Sequence, residues 1–254
     1  MTVTVVTGSA SGIGAAVCEQ LKHAGHRVIG IDRQNADIVA DLSTSEGRKA
    51  AVEAALEACG GTLDGLVCCA GLGPTAPSSS VIAAVNYFGM TELVEGLEAA
   101  LARGNKPAVT LIGSVASVHP GQDKQMVDSM LAGDETGALA RANEVGVTQA
   151  AYASSKYAVA VFARRKAVKF GPLGLRINVV APGAVVTPLF QATLDDPRYG
   201  EATRKFVAPV GRSSEPKEIA NVVLFLQSEQ ASFVHGTVVF VDGGMDAMTR
   251  TDRF

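Results

Sequence analysis

The chain of 254 residues is 47% hydrophobic, enough apolar material for one large core, and no low-complexity linker or internal repeat divides it. A formal net charge of −3 without a basic cluster excludes nucleic acid as the main partner. No apolar run reaches membrane-spanning length and the chain starts at once on a strand pattern, so a cytoplasmic protein without a membrane partner is expected. Cys18, Cys59, Cys68 and Cys69 lack zinc-ligand spacing and the histidines are scattered, so no metal site is expected.

Residues 3–6 form an apolar run, and a helical pattern over 12–23 follows, ended by Gly25. Between them lies Thr7-Gly8-Ser9-Ala10-Ser11-Gly12-Ile13-Gly14. Gly8 suits a tight turn off the strand, Gly12 lets backbone approach a phosphate, and Gly14 lets helix pack on strand. The helix N-terminus then presents free N–H groups to an anion. A second strand over 27–31 ends at Asp32, eighteen positions after Gly14, where a carboxylate meets the adenine ribose hydroxyls of a dinucleotide. That carboxylate repels a 2′-phosphate and so favours NAD over NADP, and the adjacent Arg33 weakens the preference.

A brief third strand over 38–40 closes at Asp41-Leu42, with no room for a helix before it. Ser43 or Thr44 can cap a helix over 46–57 that stops near Gly60-Gly61. Residues 63–70 read as a fourth strand, apolar on both faces, followed by a long helical region over 80–103 and a fifth strand over 108–114. The polar segment 119–148, broken by Gly121, Gly133, Gly137 and Gly146, predicts one or two short helices. A helix over 150–170 stops at Gly171-Pro172, and a sixth strand over 175–181 stops at Pro182-Gly183. A loop with short helices runs to 212, Pro216 opens a helix to 227, and 237–241 is the last strand. This alternation predicts an α/β fold: a single-domain, doubly wound parallel sheet of Rossmann type with helices on both faces. The whole of 1–254 is then one dinucleotide-binding and catalytic domain with an inserted helical segment at 119–148. Ligands of such sheets sit outside the carboxyl ends of the strands.

Tyr152 and Lys156 are four positions apart on one predicted helix, hence on one face. Ser114 closes the fifth strand, and Asn86 lies in the helical region before it. Together with Thr7-Gly8-x-x-x-Gly12-x-Gly14, Asp41, Ala70-Gly71, Pro182-Gly183, Thr187 and Asp242-Gly243-Gly244, these residues resemble, in order and over essentially the whole chain, the short-chain dehydrogenases/reductases. Residues 69–74, 85–89, 196–201 and 234–236 most resemble the members that act on 3α-hydroxysteroids and other carbonyls. The resemblance implies hydride transfer between NAD(H) and a secondary alcohol or ketone, a 3α-hydroxysteroid being preferred as substrate. Reduction of another carbonyl class (3-oxoacyl thioesters, quinones) and a catalytically silent NAD-sensing role remain open.

The resemblance also assigns roles. Tyr152 carries the alcohol proton, its pKa lowered by Lys156 and by the oxidised nicotinamide; Ser114 holds the substrate oxygen. Lys156 binds the nicotinamide ribose, and Asn86 holds a water that links Lys156 to solvent. The cofactor is bound by Gly8, Ser11, Gly12, Ile13, Gly14, Asp32, Asp41, Leu42, Ala70, Gly71, Tyr152, Lys156, Pro182, Gly183 and Thr187.

Two stretches are particular to this chain. Ser114 and Tyr152 are 38 positions apart, far more than in most of the family, and the excess is segment 119–148. Placed at the entry to the Tyr–Lys helix, it should obstruct the packing of a partner subunit there. A homodimer through another face, near the last helix and strand, is therefore expected; a surface lobe without effect on assembly is the alternative. The loop after Gly183 carries Val185, Val186, Leu189, Phe190 and Leu194, and Phe190 and Leu194 are expected to line an apolar substrate pocket under a closing lid.

Overall fold

Residues 2–253 are described here in a computed structural model. The apolar runs become β1 (Val3–Thr7), β2 (Arg27–Asp32), β3 (Ile38–Val39), β4 (Gly65–Cys68), β5 (Ala108–Ile112), β6 (Arg176–Pro182) and β7 (Val238–Val241). They pair in the order β3-β2-β1-β4-β5-β6-β7, and every neighbouring pair is parallel. Val5 pairs with Ile29 on one side and Leu66 on the other. β4 and β5 are buried throughout, as strands covered on both faces must be. The strand order reverses between β1 and β4, which opens a crevice at their carboxyl ends.

The helices begin with α1 (Gly12–His23), α2 (Ser45–Ala58), α3 (Ser79–Ala83) and α4 (Gly89–Leu101). Next come α5 (Lys124–Ala132), α6 (Glu135–Val145) and α7 (Thr148–Phe170). The chain ends with α8 (Pro188–Asp195), α9 (Gly200–Lys205), α10 (Pro216–Gln227) and α11 (Met245–Thr249). α1 and α10 cover one sheet face, where Val17, Leu21, Ile219 and Val223 pack on Val6, Val67 and Val180. α2, α4 and α7 cover the other, with Leu93, Leu97, Phe162 and Phe170 on Val5, Leu66 and Leu111.

The long helix expected over 80–103 is interrupted. A π turn, Ala84–Phe88, separates α3 from α4 and holds Asn86 fully buried. Such turns insert one residue into a helix and re-aim the side chains beside it. β4 is shorter than expected because the Ala70 N–H leaves the ladder and donates to Thr7 Oγ1 at 3.0 Å. α11 was not expected: five residues are too few to show a helical period, and the Asp242 carboxylate initiates it by accepting from the N–H groups of Gly244 and Asp246.

Segment 119–148 forms α5 and α6. Each starts on an aspartate whose side chain accepts an N–H three residues on, Asp123 from Met126 and Asp134 from Gly137. Each ends on a left-handed glycine, Gly133 at φ 75° and Gly146 at φ 65°, a conformation other residues adopt with strain. Met126, Val127, Met130, Ala138 and Ala142 are buried in the main core beside α3 and α7. The segment is thus packed against the sheet layer's helices rather than hung on the surface.

Candidate active site

A cavity of about 890 Å³ opens at the carboxyl ends of β1, β4, β5 and β6. The loop between β1 and α1 forms one wall. Gly8 has φ +67°, and a Cβ there would come within 2.8 Å of the Ala70 nitrogen. A Cβ on Gly14 would overlap the Gly8 carbonyl, so strand and helix touch through backbone alone. Ser11 precedes α1 without a side-chain cap, and no acidic residue stands in its first turn. The leading N–H groups of α1 therefore remain for an anion, and the cradle fits the pyrophosphate of a dinucleotide.

Asp32 ends β2 at the cavity wall, its carboxylate accepting from the N–H groups of Ala10 at 3.0 Å and Arg33 at 2.7 Å. Arg33 lines the cavity beside it. The N–H of Ser43, with its hydroxyl and then Arg33 adding to the effect, holds the Asp41 carboxyl below the usual carboxylate range. Leu42, Ala70 and Gly71 continue this wall, as do Ile13, Gly12, Pro182, Gly183 and Thr187. Thr187 caps α8, accepting from the Phe190 N–H at 3.2 Å, and its methyl group faces Gly12. Every residue expected at the cofactor thus borders one cavity.

Ser114, Tyr152 and Lys156 border it too. Ser114 follows β5 and caps a single 3₁₀ turn, its Oγ accepting from the Ala116 N–H at 3.1 Å. Lys156 is 4% exposed, donates to the Ile112 carbonyl at 2.8 Å, and has its Nζ 5.8 Å from the centre of the Tyr152 ring. Burial pushes the Lys156 amine down to about 8. Burial also raises the Tyr152 phenol, and the nearby Ser114 hydroxyl opposes the rise. A phenol lowered by Lys156 and the oxidised nicotinamide together was expected of the complex; in the protein by itself burial is the larger influence on the phenol.

Asn86 is held by the loop after β4 and by α7. Its Oδ1 accepts from the Leu72 N–H at 2.7 Å, and its Nδ2 donates to the Leu72 carbonyl at 3.0 Å and to Ser155 Oγ at 3.3 Å. Ser155 Oγ in turn donates to the Tyr152 carbonyl at 2.8 Å. Both amide protons are committed, and Oδ1, with one N–H on its two lone pairs, keeps a position that can accept from a water. The side chain fastens the loop after β4 to the Tyr–Lys helix.

Apolar side chains also line the cavity. Phe190 lines it as expected, with Val81, Val85, Leu189 and Phe206. Leu194 does not line it: it sits a turn further along α8, and its carbonyl accepts from Arg204, which ties α8 to α9. Tyr199 was missed. It lines the cavity from the connection between α8 and α9, and its hydroxyl is 2.9 Å from Thr148 Oγ1 at the start of α7. Its stretch, 196–201, carried only a resemblance, because an isolated aromatic in a polar loop has no period to declare its side. The segment that carries α8 and α9 is fastened at its base, where Val185 and Ser214 bridge in parallel.

Among the described residues no cluster of histidine, cysteine or acidic side chains could hold a metal ion, and no helix is long and apolar enough to cross a membrane. A family profile described as short chain dehydrogenase matches residues 2–126, and one described as enoyl-(acyl carrier protein) reductase matches 136–246. The 3-alpha-hydroxysteroid dehydrogenase/carbonyl reductase of Comamonas testosteroni is 48% identical over 257 residues, covering 100% of both chains. The cis-4-hydroxycyclohexanecarboxylate dehydrogenase of Sinomonas cyclohexanicum is 34% identical over 265 residues, covering 97% of each. The crystal structure of the 3-alpha-hydroxysteroid dehydrogenase from Pseudomonas sp. B-0831, complexed with NADH, superposes with a TM-score of 0.98 at 59% identity over 100% of both chains. Full-length likeness to such enzymes agrees with the glycine cradle and the Ser–Tyr–Lys grouping, and the chain belongs to the short-chain dehydrogenase family.

Proposed function

We propose that the protein is an NAD(H)-dependent oxidoreductase that interconverts a secondary alcohol and its ketone, with 3α-hydroxysteroids and their 3-ketones as the substrate class. The observation that carries this reading is the meeting of Ser114, Tyr152 and Lys156 in the cavity that also contains the glycine cradle. The relatives named for 3-alpha-hydroxysteroid dehydrogenase activity support the substrate class, as do Val81, Val85, Leu189, Phe190 and Phe206 in the cavity wall, which suit a rigid, bulky ketone.

In this reading Gly8, Ser11, Gly12, Ile13 and Gly14 hold the pyrophosphate, Asp32 the adenine ribose, and Asp41 and Leu42 the adenine. Ala70, Gly71, Pro182, Gly183 and Thr187 complete the nicotinamide end. Nicotinamide dinucleotide, when bound, supplies the carbon that takes or gives the hydride. Ser114 Oγ orients the substrate oxygen. Tyr152 Oη accepts the alcohol proton during oxidation and returns it to the carbonyl oxygen during reduction. Lys156 binds the ribose hydroxyls and lowers the phenol against its burial, together with the positive charge of the oxidised ring. Asn86 keeps the loop after β4 in place, and the water that links Lys156 to solvent would donate to its Oδ1.

Purified protein with NAD⁺ is expected to form NADH, read at the cofactor's near-ultraviolet absorbance, with a 3α-hydroxysteroid and not with its 3β epimer. NADP⁺ should serve less well, because of Asp32. Turnover of simple ketones without either steroid would overturn the substrate class and keep the chemistry. NADH binding without turnover of any alcohol or ketone would favour a sensing protein.

We also propose a cytoplasmic homodimer. All four cysteines are free, as in a reducing compartment. α5 packs on the flank of α7 that a partner would use, with α6 beside it on α3, whereas the opposite edge exposes Phe225, Phe233 and a half-buried β7. Light scattering at micromolar concentration should give twice the chain mass; four times the chain mass would overturn this assembly.

A further inference from the structure

A charge without solvent exposure lies outside the site described so far. Arg48, in the first turn of α2, is 0% exposed. Its Nη2 donates to Glu135 Oε2 at 2.6 Å, and its Nη1 points to the Leu42 carbonyl at 3.4 Å. Its Nε is 2.8 Å from Glu92 Oε2 but off the N–H direction, an ion pair without a formed hydrogen bond. Glu92 belongs to α4, Glu135 to α6 of the inserted segment, and Leu42 to the wall of the cavity. One guanidinium therefore joins the insertion, two helices and the loop 41–43.

A buried guanidinium is tolerated only while its charge and its donors are matched, and losing one partner leaves the remainder uncompensated. Here the aligned, charge-assisted bond is the one to Glu135. Glu135 is thus the contact that fixes where Arg48 sits, and Arg48 in turn holds the Leu42 backbone. The same loop has little slack elsewhere: a Cβ on Gly47 would overlap the Asp41 carbonyl, and Leu42 is itself buried against Gly89.

We propose that Arg48, anchored by Glu135, is a positioning residue for the adenosine end of the dinucleotide, so that the inserted segment takes part in cofactor affinity. This rests on the reading of residues 41–42 as the adenine wall. Without Glu135 the guanidinium swings toward Glu92, releases Leu42, and the slot for a flat purine loosens. The nicotinamide end, held by other elements, is untouched.

The test uses Glu135→Gln in the full-length protein, because Glu135 is at the surface end of the network with 29% of its side chain exposed and its loss leaves the core packing intact. Binding is measured by calorimetry with three probes: NADH, adenosine monophosphate and nicotinamide mononucleotide. A charged hydrogen bond lost next to the slot should raise the Kd for NADH and for adenosine monophosphate by about five- to tenfold. The Kd for nicotinamide mononucleotide and kcat at saturating NAD⁺ should stay within about twofold. Arg48→Lys, which keeps the charge but cannot reach three partners, should show the same split. Unchanged adenosine monophosphate binding in Glu135→Gln would overturn the proposal, as would an equal loss for both half-molecules. Wild-type protein that binds neither NADH nor adenosine monophosphate would overturn the cofactor reading itself, a separate outcome.

Discussion

Tyr152→Phe is expected to lower kcat by about a thousandfold, the middle of the range for removing a general acid–base group, while the Kd for NADH changes by less than about threefold. The ring of Tyr152 packs against the main core, and phenylalanine keeps that contact. Only the hydroxyl is lost, and burial already holds it in the protonated form in the protein alone. The proton balance then follows by sign. Alcohol oxidation needs the phenolate, so its rate should rise with pH through the phenol pKa of the complex; ketone reduction needs the phenol and should fall over the same range. Stopped-flow measurement of hydride transfer in both directions checks this. Retention of one-tenth or more of the wild-type rate by Tyr152→Phe would remove Tyr152 from the proton path.

Lys156→Met should abolish most activity and yet make the fold more stable at neutral pH. The amine titrates near 8 when folded, against a reference value of 10.5. Below pH 8 both folded and unfolded chains hold the proton, and the folded chain bears the whole penalty of the buried ammonium, about 3 kcal/mol from the difference of pKa. Between pH 8 and 10.5 the unfolded chain binds more protons, so this group's contribution to stability rises with pH until the penalty is gone. Methionine fills the space without charge but leaves the Ile112 carbonyl without its donor, a loss of about 1–3 kcal/mol. The net gain is about 1 kcal/mol, a rise of roughly 2–4 °C in Tm for a chain of this size. Thermal melts of variant and wild type from pH 6.5 to 10 should show the gap closing, then reversing, as pH rises. A variant that is less stable at pH 7 would mean that the Ile112 hydrogen bond outweighs desolvation. Stability given up for a charged group at the reacting centre is a familiar trade.

Most of the architecture was legible because parallel strands covered on both faces must be apolar throughout, and residues 3–6 and 108–112 read that way at sight. The glycine cradle was legible for a different reason: Gly8 and Gly14 stand where any Cβ would meet backbone. Asn86 could be located but not understood. A π turn preserves the apolar content of a helix, so the period over 80–103 conceals the extra residue that turns the amide toward Leu72. The lid was read from apolarity alone, which selects Phe190 and Leu194 equally; only the turn of α8 separates the one that faces the cavity from the one that does not. Arg48 was invisible for a plainer reason. Its partners are 44 and 87 positions away, and a charged residue in a polar helix reads as surface.

The two capped helices between Ser114 and Tyr152 also bear on how the protein reaches its working form. Lengthening a connection adds little to its closure entropy, about 0.6 kcal/mol for each doubling, and α5 and α6 return more than this through Met126, Met130 and their neighbours in the core. What the insertion alters is the order of events. The serine and the tyrosine that must act together are separated along the chain by elements that have to find their own places first, and distant contacts form slowly. The loop 7–14 is local in sequence, whereas the pair of hydroxyls has to wait until α5 and α6 have docked.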